Sequence, residues 1–305
     1  MADKKEHNNP TPEEEKVLFS NLEFSYSKSK DEVWASLDKQ ISEAPKEDTQ
    51  PPKGKVIRMN RLSLSIAASL VLILSAGLFA RFYTTTVKVA PGEFTSHTLP
   101  DGSEVHLNAA TSIKYAPYWW SVNREVKLQG EAYFVVAKGE KFTVASTMGS
   151  TEVLGTEFNV YARGDDFQVY CQEGRVRVTS QMVIEKTTNE VILTPGEVAE
   201  IELNRLYKTK ADTNEGDGPS QDAILSWRTG TFMFQNTPLK KVFEELARHY
   251  GVALELSLPD SLEDKGLFAI FPRDITLNET LEIIGEAAAL NFEKTGDRVY
   301  LIKQR

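Results

Sequence analysis

Hydrophobic and polar residues change rhythm three times along this chain. From Leu62 to Ala80 nineteen residues pass without a charge, framed by Arg61 and Arg81. As a helix that run is about 28 Å long, close to the ~30 Å hydrocarbon core of a bilayer. Phe82 and Tyr83 follow, where an interfacial aromatic belt would lie. A buried core helix this uniformly apolar is rare in a chain of 305 residues. A signal peptide starts near the first residue, whereas this run follows a long polar segment. The pattern therefore predicts one transmembrane helix over 62–80.

Downstream, over 84–205, the period becomes two. Val105 and Leu107 alternate with Glu104, His106 and Asn108, and Val126 and Leu128 alternate with charged residues. The runs "EAYFVVAKG", "KFTVAS", "EFNVYARG", "FQVYCQEG", "RVRVTS" and "VAEIEL" continue it. Turn signals fall at Pro100-Asp101-Gly102, Gln129-Gly130, Lys138-Gly139, Gly164-Asp165, Glu173-Gly174 and Pro195-Gly196. These features predict an all-β domain of short strands, as a sandwich, a barrel or a β-solenoid.

Residues 206–225 read as a polar linker, and helical periodicity starts in the domain predicted for 226–305. "TGTFMF" reads as a strand. Thr237 and Pro238 make a helix start, with the capping residue followed by proline at the first position. Leu239, Val242, Phe243, Leu246 and Tyr250 lie on one helical face, Gly251 ends the helix, and a strand follows. The grammar returns 38 residues on, with Leu239 matched by Leu277 and Phe243 by Leu281. The prediction is a strand–helix–strand unit used twice, then the hairpin "EKTGDRVYLI", with both helices on one face of a small mixed sheet.

Ahead of the apolar run, 1–61 reads as a polar N-terminal segment. Two short helices are expected within about 16–42, and 43–55 is a Pro-rich charged linker. In "SKDEVWASLDKQI", Ser29 or Asp31 can cap, and Val33, Trp34, Leu37 and Ile41 share one side. About thirty residues bury little core alone. The stripe, with Leu18 and Leu22 from the first helix, is therefore the expected partner-binding surface, by insertion into a groove.

Charge sets the orientation. Lys53, Lys55, Arg58 and Arg61 precede the run without an acid among them, while Arg81 and Lys88 are the basic residues between it and Glu93. The basic flank stays in the cytoplasm, so 81–305 is expected in the periplasm of a bacterium and the N-terminus in the cytoplasm. A net charge of −9 argues against nucleic-acid binding. The single cysteine, Cys171, alternates with Phe167 and Val169 and is expected to pack as a core residue. His7, His97, His106 and His249 are scattered, and neither a metal nor a cofactor is expected. No catalytic triad order stands out. Gly155-Thr156 interrupts a strand-like run, which marks a bulge or close backbone approach, or a strained site for hydroxyl attack on the preceding carbonyl.

The blocks "LPDGSEVHLNAATSIKY", "REVKLQGEAYFVVAKGEKFTV", "VLGTEFNVYA", "EGRVRV" and "LTPGEVAEI" resemble the FecR family. Its members are inner-membrane anti-sigma factors. The resemblance implies a single-pass relay with two partners. One is the periplasmic signalling domain of a TonB-dependent outer-membrane transporter, and the other is an extracytoplasmic-function (ECF) sigma factor in the cytoplasm. The block "WRTGTFMFQNTPLKKVFEELARHYGV" is similar to the C-terminal domain behind FecR domains in Bacteroidetes-type proteins, itself like the short domain of secretins and TonB-dependent receptors. That likeness implies a docking module, through an exposed sheet edge. Some relatives cleave themselves at a Gly-Thr bond, which marks Gly155-Thr156 as a candidate; otherwise no enzyme activity is implied. Many members carry more than one tryptophan in a longer cytoplasmic region, whereas here Trp34 stands alone. The alternative is a membrane-anchored periplasmic binding or scaffold module without sigma regulation.

Overall fold

The computed structural model of this chain describes residues 28–43, 61–181, 190–202, 205–211, 220–272 and 274–305. The expected first helix with Leu18 and Leu22, the polar start and the linker 43–55 beyond Glu43 lie outside the described residues. Helix α1, Lys30–Glu43, begins at a reciprocal cap. The Ser29 amide donates to Glu32 Oε2 at 3.0 Å, and the Glu32 amide donates to Ser29 Oγ at 3.4 Å.

Helix α2 runs Arg61–Phe82. Its Leu64–Phe82 stretch is long and apolar enough to cross a membrane, and none of it is buried in the protein. A core helix of a soluble protein would bury a face, which this helix does not.

Thirteen strands follow in one connected sheet: β1 Thr85–Val89, β2 Thr95–Thr98, β3 Glu104–Leu107, β4 Thr111–Tyr115, β5 Arg124–Val135, β6 Phe142–Ala145, β7 Gly149–Val153, β8 Glu157–Arg163, β9 Asp166–Glu173, β10 Val176–Ser180, β11 Glu190–Leu193, β12 Glu197–Glu202 and β13 Arg205–Lys210. The pivot is β5. Its first half pairs with β4 and, in parallel, with β6; its second half pairs with β3 and β8. Gln129-Gly130, expected as a turn, instead sits mid-strand where β5 passes from one leaf to the other. Gly130 has φ +115°, and a Cβ there would come within 2.7 Å of Thr111 Cα, so glycine serves a close crossing rather than a reversal. Val126 and Leu128 from one leaf, and Ala132, Phe134 and Phe158 from the other, line a single core with Cys171. Asn108, expected on the polar face, is 2% exposed because it turns inward to a buried carboxylate.

The segment expected as a linker is partly structured. Residues 206–210 form β13, an antiparallel partner of β12, because Leu206 packs against the core. Helix α3, Gln221–Thr229, is capped by Ser220 Oγ, which accepts from the Ala223 amide at 3.1 Å. Its Ile224 packs with Tyr170 and Val198 of the β domain.

The remaining elements are β14 Phe232–Pro238, α4 Leu239–Tyr250, β15 Ala253–Ser257, the single turn α5 Asp260–Glu263, β16 Gly266–Phe271, α6 Leu277–Ala288, β17 Leu290–Lys294 and β18 Val299–Gln304. The strand–helix–strand unit occurs twice, as the repeat predicted. The strands form two ladders rather than one sheet: β14 with β16, and β18 between β15 and β17. Both ladders and both long helices share one core around Phe243, Leu246, Ile284 and Ile302. Thr237 is not a helix cap. It pairs with Leu267 in the ladder, its hydroxyl accepts from the Gln235 amide, and the helix begins one residue later than expected.

Candidate functional site

Among the described residues no group of His, Cys, Asp or Glu is placed to hold a metal ion. On α1, Val33 is half-buried, whereas Trp34, Leu37 and Ile41 are 63%, 41% and 72% exposed. No residue of α1 is buried. The heptad-like spacing puts these side chains on one stripe, the form of a helix that lays its apolar face into a groove.

The Gly155-Thr156 pair lies in the corner between β7 and β8. Gly155 has φ +145°, and a Cβ would sit 2.8 Å from Lys138 Cα. Packing alone therefore demands glycine. The Thr156 hydroxyl donates to the Arg175 carbonyl at 3.2 Å, and the Val136 amide donates to the Thr156 carbonyl at 3.0 Å. A cavity of about 590 Å³ opens beside the pair, with Lys141, Arg175 and Arg177 on its wall.

A third constellation escaped the sequence reading. Glu131, on β5, is buried and accepts from Asn108 Nδ2 at 2.8 Å and Asn159 Nδ2 at 3.0 Å. Burial, and then the charge of Glu245 on α4, push its carboxyl up to about 7 against the pull of Arg163. Arg163 is held by the carbonyls of Ala109 and Ala110, at 2.8 and 3.1 Å. Across the junction, Arg248 donates to Glu245 at 2.7 Å and to the Tyr161 hydroxyl at 3.5 Å. The Arg248 carbonyl accepts from the Gly92 amide at 2.8 Å. Arg228 of α3 lies 3.7 Å over the Tyr133 ring. The cluster thus joins the β domain to the C-terminal module. Alternation with Val126 and Leu128 assigns Glu131 the solvent-facing parity of β5, so nothing local in "QGEAYFVV" signals its burial.

The C-terminal module presents a further surface. β16 pairs only with β14 among the described residues. Leu267 and Phe271 point inward, while Phe268 and Ile270 are 73% and 66% exposed. Two large apolar side chains on an open strand edge form a ready template for strand addition.

The comparisons with known proteins agree with this architecture. The family model described as FecR protein matches residues 85–177, and that described as FecR, C-terminal matches 231–301. Two crystal structures of candidate anti-sigma factors from Parabacteroides distasonis, at 2.50 and 1.65 Å resolution, are similar to this chain. The first has a TM-score of 0.62 at 26% identity, covering 73% of this chain and all of its own. The second has a TM-score of 0.61 at 26% identity, covering 72% of this chain and 99% of its own. No curated protein matches. With two successive models of one family over more than half of its length, and anti-sigma relatives spanning most of it, this chain belongs to the FecR family of anti-sigma factors.

Proposed function

We propose that the chain is a single-pass inner-membrane regulator that relays a signal from a TonB-dependent outer-membrane transporter to an ECF sigma factor. The observation that carries this reading is one apolar helix, α2, none of it buried, which in chain order follows the exposed Trp34 stripe and precedes the FecR region. The basic flank ending at Arg61 supports a cytoplasmic N-terminus. In that arrangement α1 meets the sigma factor, and the open β16 edge meets the transporter's signalling domain. The test is co-purification of the detergent-solubilised full chain with the ECF sigma factor encoded nearest to it. Trp34→Ala is expected to weaken capture about 30-fold, the loss of one aromatic anchor worth ~2 kcal/mol. Undiminished capture by that variant removes α1 from the contact. No capture by the wild type favours the scaffold alternative.

We also propose that Gly155-Thr156 is a self-cleavage point. The Thr156 oxygen adds to the Gly155 carbonyl carbon, and its proton passes to the Thr156 nitrogen as the C–N bond breaks. Water then hydrolyses the ester. The support is the positive φ of Gly155 and the adjacent hydroxyl. Wild-type chain should yield two fragments, and Thr156→Ala should remain whole; an intact wild type rejects the step.

A further inference from the structure

Between β4 and β5 the chain makes a 3-10 turn over Pro117–Trp119, and the sequence through it is Tyr118-Trp119-Trp120-Ser121-Val122, without a charge. These residues divide. Trp120 is 5% exposed and meets Tyr115 and Phe142 edge-on in the core. Tyr118 and Val122 do the opposite, at 63% and 68% exposed. The Tyr118 ring lies 5.2 Å from Tyr83 and 6.1 Å from Phe79, centroid to centroid. The Arg81 guanidinium stands 5.8 Å from the Trp119 ring. Phe79 belongs to the apolar stretch Leu64–Phe82. The turn therefore touches the final turn of α2, at the level where that helix leaves its apolar zone.

Only Tyr83 and Thr84 separate α2 from β1, so Phe82 and Thr85 are at most about 11 Å apart. The domain cannot move away from the surface from which α2 emerges. Tyrosine and tryptophan favour the headgroup level of a bilayer, where the ring is dehydrated and the polar atom stays wet. Arginine there meets phosphate.

We propose that Tyr118, Trp119 and Val122 form a second membrane contact, seated in the lipid interface beside α2 and holding the β domain against the bilayer. This rests on α2 spanning the membrane. One helix alone would leave the domain free to rotate about its axis; a second contact fixes which side of the domain faces outward.

The test uses the full chain in phosphatidylcholine vesicles with single introduced cysteines carrying a nitroxide. Cys171 is wholly buried, so the label goes to the introduced thiol. Leu70→Cys reports the middle of α2. Asp297→Cys reports an exposed turn of the C-terminal module. Collisions are measured with oxygen, which enters lipid, and with a water-soluble nickel chelate. At Val122→Cys, nickel collisions are expected to be several-fold fewer than at Asp297→Cys, with oxygen collisions raised. Should Val122→Cys be as open to nickel as Asp297→Cys while Leu70→Cys is shielded, the second contact is wrong and the span stands. Should Leu70→Cys also be open, the span is wrong and the contact falls with it.

Discussion

Single residues in this fold are decided by backbone geometry as much as by side-chain chemistry, and the internal repeat provides a natural comparison. Gly251 ends α4 with φ +62°, and Ala289, its equivalent 38 residues on, ends α6 with φ +56°. Both sit in the left-handed region, where a Cβ crowds the neighbouring carbonyl. Gly251 has a second duty, since a Cβ there would press on the Pro91 carbonyl at 3.1 Å. Ala289 has the strained φ without the relief. Ala289→Gly is therefore expected to stabilise the protein by about 0.5–1 kcal/mol, the preference for glycine at this cap less its greater unfolded-state entropy. Urea unfolding of the chain in detergent micelles measures it. An unchanged or lower midpoint shows that α6 does not hold Ala289 at that φ.

At the level of elements, what the sequence made legible was whatever repeats with a period. The apolar run, the alternating strands and the doubled strand–helix–strand unit all follow from spacing, and Ser29 could be read as the start of α1 from local chemistry. What stayed hidden depends on contacts between distant residues. Nothing near Gly130 in sequence announces that Thr111 approaches it, so a strand crossing looked like a turn. Leu206 could not be seen to pack on the β core, so β13 looked like linker. Glu131 and Asn108 read as solvent-facing because each needs the other to be stable inside. The surface of β16 was equally invisible, since alternation shows two faces without saying which one is covered. Under the proposed relay, the double variant Phe268→Asp/Ile270→Asp should abolish capture of a transporter signalling domain by the full chain. It should leave the unfolding free energy from urea titration within about 0.5 kcal/mol of wild type, because both side chains are exposed. Retained capture would move the docking surface elsewhere; a large loss of stability would show that β16 is covered.

Across the whole molecule, the Glu131 junction links stability to the acidity of the compartment around it. The carboxyl titrates at about 7 in the folded protein, against an ordinary value of 4.5. The native state therefore keeps a proton that the unfolded chain releases. The contribution is complete below the unfolded value and is lost as pH rises through 7. Its size follows from the shift, on the order of 3 kcal/mol between the two limits. Arg163 opposes the shift, whereas Glu245 and burial sustain it. His106 and His249 are both pushed down, first by burial, and they favour the native state above their unfolded values, so they act with the opposite slope. The Glu131 component is isolated by comparison with Glu131→Gln, which keeps the shape and stays neutral. Urea midpoints of the wild type, taken from pH 5 to pH 8, should fall relative to those of the variant, and the variant should be the more stable at pH 8. Parallel profiles would mean that Glu131 is ionised throughout, neutralised by Arg163. A diverging pair of profiles would show that the proton on Glu131 strengthens the native state at the junction, where Arg248 of α4 reaches Tyr161 of β8.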